Sequence, residues 1–254
     1  MPYISKVAKT AQHTKLLKPT KLAKVTSSAK STEPKEPLEL VEPINLIAPD
    51  YWDAGCAALM KQDRMLRKLI PKYPNAGFLT TRGDAFQTLA RAIVGQQISV
   101  KAAQSIWNKV LDATKKKSRK FNPQAILKLE LMELRDAGLS LRKVEYIRDL
   151  AIHFDNGGLH CAQWDKLDDE TVIAELTAIR GIGRWTAEMF LIFYLMRPNI
   201  LPLDDVGLIK AISQAYFSGE PVSRNEAKEV AANWEPYRTI ATWYMWRSID
   251  PLLA

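Results

Sequence analysis

From about Asp50 onward, apolar residues recur at helical spacing, and no stretch alternates polar with apolar as a half-buried strand would. That period restricts the chain to packed helices. Asp84 precedes Ala85, Phe86, Leu89, Ala90, Ile93 and Val94, an N-cap followed by an i, i+3, i+4 stripe. Ser99 is placed to cap the next helix, on which Val100, Ala103, Ile106, Trp107, Val110 and Leu111 share a face. Asn122-Pro123 is a cap with proline at the first helical position. Ser140 opens a helix through Val144, Ile147, Leu150 and Ala151, which Gly157-Gly158 stops. Further helices are expected at 169–179, 184–196, 206–217, 224–234 and 236–248. Short loops and the lack of an internal repeat then predict one all-α domain over residues 49–254.

Charge is distributed unevenly ahead of that domain. Residues 1–32 contain no acid but carry Lys6, Lys9, Lys15, Lys18, Lys21, Lys24 and Lys30, so most of the formal +8 sits there. With Tyr3 as their one aromatic and no apolar periodicity, residues 1–48 read as a disordered basic tail and a proline-punctuated linker. Such a tail is either a solubilising extension or an arm attracted to DNA phosphates. Only Cys56 and Cys161 are present, which excludes a disulfide framework, a four-cysteine zinc site and a cysteine-ligated iron–sulfur cluster. The longest apolar stretch, 187–196, is too short to span a bilayer, and no secretory signal opens the chain. A reducing intracellular compartment and no membrane partner are therefore expected.

The most informative segment is Leu176 to Phe190, a helix, the turn Gly181-Ile182-Gly183, and a second helix starting at Arg184. Glycines at both sides of the turn permit φ > 0 and close approach. The turn therefore presents backbone N–H groups at a helix N-terminus, where hydrogen bonds and the helix dipole attract a phosphate. Ile182 would plug the gap between the helices, with Thr186 in the first turn beyond. About twenty residues on, Pro202-Leu203-Asp204-Asp205-Val206-Gly207 places paired acids at the start of another helix. Taken alone, the glycine turn is a common helix connection and the acid pair an ordinary N-cap.

Hairpin, spacer and acidic cap together resemble the helix–hairpin–helix DNA glycosylase superfamily. Three stretches narrow the resemblance to its alkylated-base branch, the DNA-3-methyladenine glycosylase II family. They are Gly95-Gln-Gln-Ile-Ser-Val100, Gly181-Ile-Gly-Arg-Trp-Thr-Ala187 and Trp234-Glu-Pro-Tyr-Arg-Thr-Ile-Ala-Thr-Trp-Tyr-Met-Trp246. With the acidic loop they cover roughly residues 50 to 250, in order. The resemblance implies a two-lobed helical domain with the active site in the cleft between lobes.

It also implies site residues. The Asp-Val-Gly-Leu run matches the family's catalytic aspartate at Asp205, with Asp204 as the helix cap; counting from Pro202 points instead to Asp204. Trp185, Trp246 and Met189 take family positions that line the base pocket, whereas Trp107, Trp234 and Trp243 read as core. Gln97 resembles the residue wedged into the duplex when the base flips out, and Gln96 and Ser99 of the same loop are implied to bind DNA with it. The hairpin, through Gly181, Ile182, Gly183 and Thr186, is implied to bind DNA. The carbonyls of Thr177, Ile179 and Ile182 are implied to hold a Na+ or K+ ion, and no cofactor is required. Bifunctional relatives carry a lysine where this chain has Trp185, so base removal without strand cleavage is expected.

The chemistry fits one carboxylate. Cleaving an N-glycosidic bond passes through an oxocarbenium-like state that a nearby anion stabilises. Bases alkylated on a ring nitrogen leave readily, and none of His13, His153 or His160 falls in a matched stretch to serve as general acid. The expected partner is double-stranded DNA bearing alkylated bases, engaged by a monomer. The expected location is cytoplasmic, with the nucleoid if bacterial, or nuclear if eukaryotic. Three rivals remain at this point: a passive phosphate clamp, a glycosylase for oxidised or mismatched bases, and a helical interaction domain.

Overall fold

Most of the described helices begin where a capping side chain stands. Asp84 accepts the Gln87 N–H, Ser99 that of Ala102, Asn122 that of Ala125, Ser140 that of Lys143, and Asp168 that of Thr171. The computed structural model describes residues 48–73 and 84–249, all within one unit, Val41–Ala254. Residues 1–47 of the expected tail and linker lie outside the described residues.

Among the described residues there are helices and turns and no strands, as the period predicts. The order is α1 (Trp52–Gln62), α2 (Arg64–Leu69), α3 (Ala85–Gly95), α4 (Val100–Lys115), α5 (Pro123–Leu127) and α6 (Leu131–Asp136). Then follow α7 (Leu141–Asp155), α8 (Asp169–Thr177), α9 (Arg184–Phe193), α10 (Val206–Tyr216), α11 (Arg224–Ala232) and α12 (Arg238–Ile249). No described helix is long and apolar enough to cross a membrane.

Two lobes result from the packing. In the first, α3 packs on α4, α7 and α9, α7 on α5 and α6, and α8 on α9. In the second, α12 packs on α1, α2 and α10, with α11 against α10. The chain thus enters the second lobe at α1, passes through the whole first lobe, and returns at α10. Trp164 and Trp234 are fully buried and Trp107 nearly so; the core reading of Trp107 and Trp234 holds. Trp234 also donates its indole N–H to Asp63, the cap of α2.

Several ends fall short of the expected ranges. α8 ends at Thr177 because Ile179 N–H turns back to the Leu176 carbonyl. α9 ends at Phe193, beyond which Met196 adopts φ +52°, outside the helical region. α12 starts at Arg238, since Tyr237 N–H closes a turn on the Trp234 carbonyl.

The first hairpin helix is tied down from outside. Glu175 of α8 accepts the Trp164 indole N–H at 2.9 Å and pairs with the His160 ring at 2.6 Å. Burial works against its charge, but these hydrogen bonds outweigh it and hold the carboxyl below the usual glutamate range. A folded value below the unfolded one means the stabilisation is complete above the ordinary glutamate range. It is lost as pH falls through the folded value. Glu175→Gln is therefore expected to lower stability by ~1–2 kcal/mol at pH 7. The gap should close in urea unfolding series taken toward pH 3; a gap independent of pH would remove the charge from the account.

Candidate active site

Three side chains from the two lobes converge at the start of α10. Asp205 is the residue with extended backbone before α10, so its carboxylate caps that helix: Oδ1 accepts the Leu208 N–H at 2.6 Å. Oδ1 also accepts the Trp246 indole N–H at 2.8 Å, and Oδ2 accepts the Trp185 indole N–H at 2.9 Å. Trp185 stands in the first turn of α9, in one lobe, and Trp246 on α12, in the other. An ionised carboxylate only accepts hydrogen bonds and has about four acceptor positions. Three are used here by donors, and one is left.

Asp204 is arranged differently. It forms an ion pair with Arg224 at the start of α11, and it does not cap α10. The expectation that Asp204 serves as the cap is therefore corrected: one aspartate, Asp205, both caps the helix and meets the two indoles. Sequence alone could not separate adjacent acids, because the cap is decided by which of them has the extended backbone.

The walls around the carboxylate include one residue that pattern reading missed. Phe193, on the same face of α9 as Trp185, stacks on Trp246 with centroids 6.0 Å apart and planes 11° from parallel. Met189 is half-buried and packed against the core between them in sequence. Trp185 is 43% exposed and forms the rim. Gly207 matters by what it lacks: a Cβ there would lie 3.0 Å from Asp205 Oδ1 and 3.4 Å from the Trp246 ring. The absent side chain lets the indole edge reach the carboxylate.

The hairpin has the geometry its sequence implies, with two corrections. Gly181 has φ +88°, in the region glycine favours, and Ile182 is buried as the plug. Gly183, however, has φ −87° and needs no glycine for its backbone. Thr186, expected beside the phosphate, is buried in the packing of α9 instead. Gln97 is exposed at the tip of the turn between α3 and α4, with φ +58°, and Ser99 caps α4. Of the implied cation ligands, the Ile179 carbonyl accepts the Ile182 N–H at 3.1 Å, closing the turn. Among the described residues no group of three or more His, Cys, Asp or Glu is placed to hold a metal.

Comparison with known proteins places this geometry. The model of the HhH-GPD superfamily base excision DNA repair protein family matches residues 90–236. A DNA-3-methyladenine glycosylase of Bacillus subtilis is 31% identical over 172 residues, 65% of this chain and 57% of the relative. The chain spans 57–60% of the length of the two Bacillus subtilis relatives it matches. The crystal structure of DNA-3-methyladenine glycosidase from Bacillus halodurans superposes with a TM-score of 0.71 at 35% identity, covering 78% of this chain and 90% of that one. A Schizosaccharomyces pombe 3-methyladenine DNA glycosylase in complex with abasic DNA gives a TM-score of 0.64 at 26% identity, covering 77% and 96%. With its matched segment holding the hairpin, Asp205 and Trp185, the chain belongs to the HhH-GPD superfamily of base excision DNA repair proteins.

Proposed function

We propose that the protein is a monofunctional DNA glycosylase that hydrolyses the N-glycosidic bond of alkylated purines, of the 3-methyladenine and 7-methylguanine type. The target base is flipped out of the duplex, and an abasic site is left. One observation carries the reading: a single carboxylate, Asp205, set between two indoles from opposite lobes. Flipping costs a few kcal/mol, less at a damaged pair. The extruded base lies against Trp185 and Trp246, and its positive charge gains about 0.5–2 kcal/mol from cation–π attraction. Asp205, with one acceptor position left, faces the sugar and stabilises the oxocarbenium-like state as the bond breaks. Water then adds to the sugar carbon.

The absence of a lysine in the first turn of α9, where Trp185 stands, supports base removal without a Schiff base and without strand cleavage. The names of the relatives support the alkylated-base substrate and DNA as the partner; that the acting form is a monomer is part of the proposal. Backbone oxygens of Thr177, Ile179 and Ile182 are hard ligands suited to a monovalent cation. When bound, that ion would add positive charge at the hairpin where the phosphate docks.

The test is base release from methylated duplex DNA. Free 3-methyladenine or 7-methylguanine, with the strand left intact until alkali is added, is the expected result. DNA binding without release would leave a passive clamp, and release of only 8-oxoguanine or a mispaired base would assign another lesion class.

A further inference from the structure

Lys143 sits in the first turn of α7 beside Arg142, a second cation. Their geometries differ. Arg142 is exposed, with its guanidinium donating to the Tyr146 hydroxyl at 3.0 Å. The Lys143 ammonium turns inward and donates to the Val94 carbonyl at 2.8 Å and the Gln96 carbonyl at 2.7 Å. Those are carbonyls at the C-terminal end of α3, where the helix dipole favours a cation. Burial of the ammonium pushes its pKa down, in keeping with a group withdrawn from solvent.

The next residue along is Gln97, a non-glycine residue held at φ +58°. Such a backbone persists only where its surroundings over-determine it. On the other side of the same turn, Gln96 Nε2 donates to the Gly181 carbonyl at 2.8 Å. Gln96 therefore links the turn to the DNA-binding hairpin, and Lys143 links it to α7. Together with Tyr146 and Ile182 these groups line a cavity of about 420 Å³.

We propose that Lys143 and Gln96 are positioning residues that latch the Gln97 turn to the hairpin, so that phosphate clamp and wedge form one rigid body. The inference rests on the reading of Gln97 as the residue inserted when the base leaves the stack. Once the hairpin seats on a phosphate, the latch fixes where the Gln97 side chain enters the duplex. Lys143 thus acts through Gln97 and not as a phosphate contact.

The experiment compares Lys143→Met and Gln96→Leu with wild type and with Lys143→Arg, each checked for folding by circular dichroism. In the free protein, hydrogen exchange at residues 95–98 is expected to accelerate in the first two variants and to stay slow in Lys143→Arg. On duplex DNA carrying 2-aminopurine beside the lesion, flipping amplitude and single-turnover base release are expected to fall about 10- to 100-fold, as for a misplaced group. Affinity for undamaged duplex and its salt slope should stay at wild-type values. In a Gln97→Ala background, Lys143→Met should add little further loss. Unchanged exchange at 95–98 overturns the latch, as does a salt slope reduced by about 0.9, the signature of one lost phosphate contact. Losses that multiply fully with Gln97→Ala also overturn it. A wild type that releases no base refutes the functional reading instead, and the latch is then decided by exchange alone.

Discussion

Asp205→Asn is expected to reduce single-turnover base release by about 10³-fold or more, the scale of removing a group aimed at developing transition-state charge. Asp204→Asn should stay within a few-fold of wild type. The contrast follows from the partners of the two acids. Asparagine at 205 keeps the shape and remains a good N-cap for α10. It removes the negative charge and turns an NH2 toward one of two indole N–H donors. That donor–donor conflict leaves one indole without its acceptor and costs ~1–2 kcal/mol, so a modest fall in Tm should accompany the activity loss. Asp204 pairs with Arg224, whose side chain is 70% exposed, and an ion pair in that setting contributes less than about 1 kcal/mol. The measurement is release of methylated purines under enzyme excess, with thermal melts of the same preparations. Equal losses from both substitutions would dissolve the distinction, and activity retained in Asp205→Asn would move the chemistry elsewhere.

How much of this could be read from the chain depends on the range of the interaction. Caps and helix faces are local, so Asp84, Ser99, Asn122 and Ser140 mark their helices correctly. The hairpin is local too, and Gly181 and Ile182 behave as a tight turn and a plug. The site is not local. Trp246 reaches Asp205 across 41 residues of chain and Trp185 across 20. Spacing alone gives no reason for those rings to converge; the resemblance placed them at the pocket, and the fold joins them through indole N–H bonds. Phe193 reads as another apolar helix residue until its ring is found stacked on Trp246. Thr186 fails as a surface residue because its place on α9 points it into the packing, where one residue earlier Trp185 is exposed. Lys143 carries the same lesson: in sequence one more lysine near a helix start, in the fold a donor to helix-end carbonyls about fifty residues earlier in the chain.

The two hairpin glycines should respond to the same methyl group in different ways. At Gly181 the backbone itself demands glycine: φ is +88°, and a Cβ would lie 2.2–2.9 Å from the Tyr146 ring and its Cβ. Tyr146 cannot easily retreat, because Arg142 holds its hydroxyl and the ring packs against the core. Gly181→Ala is therefore expected to cost ~2–3 kcal/mol of stability, from backbone strain plus overpacking, and to weaken DNA binding as the turn distorts. Gly183 is exposed, has an ordinary φ, and a Cβ there meets nothing within 4 Å. Alanine is a poorer N-cap than glycine, so the fold should lose about 0.5–1 kcal/mol. Yet Gly183 caps α9 without a side chain, which leaves first-turn N–H groups facing outward for a phosphate. A methyl group in that path should lower affinity for duplex DNA by ~10-fold while the melting curve barely moves. Urea unfolding and fluorescence anisotropy on a duplex separate the two effects. If Gly183→Ala binds DNA as tightly as wild type, the phosphate approaches from another side of the turn. If Gly181→Ala is as stable as wild type, the Tyr146 contact is softer than its distances imply.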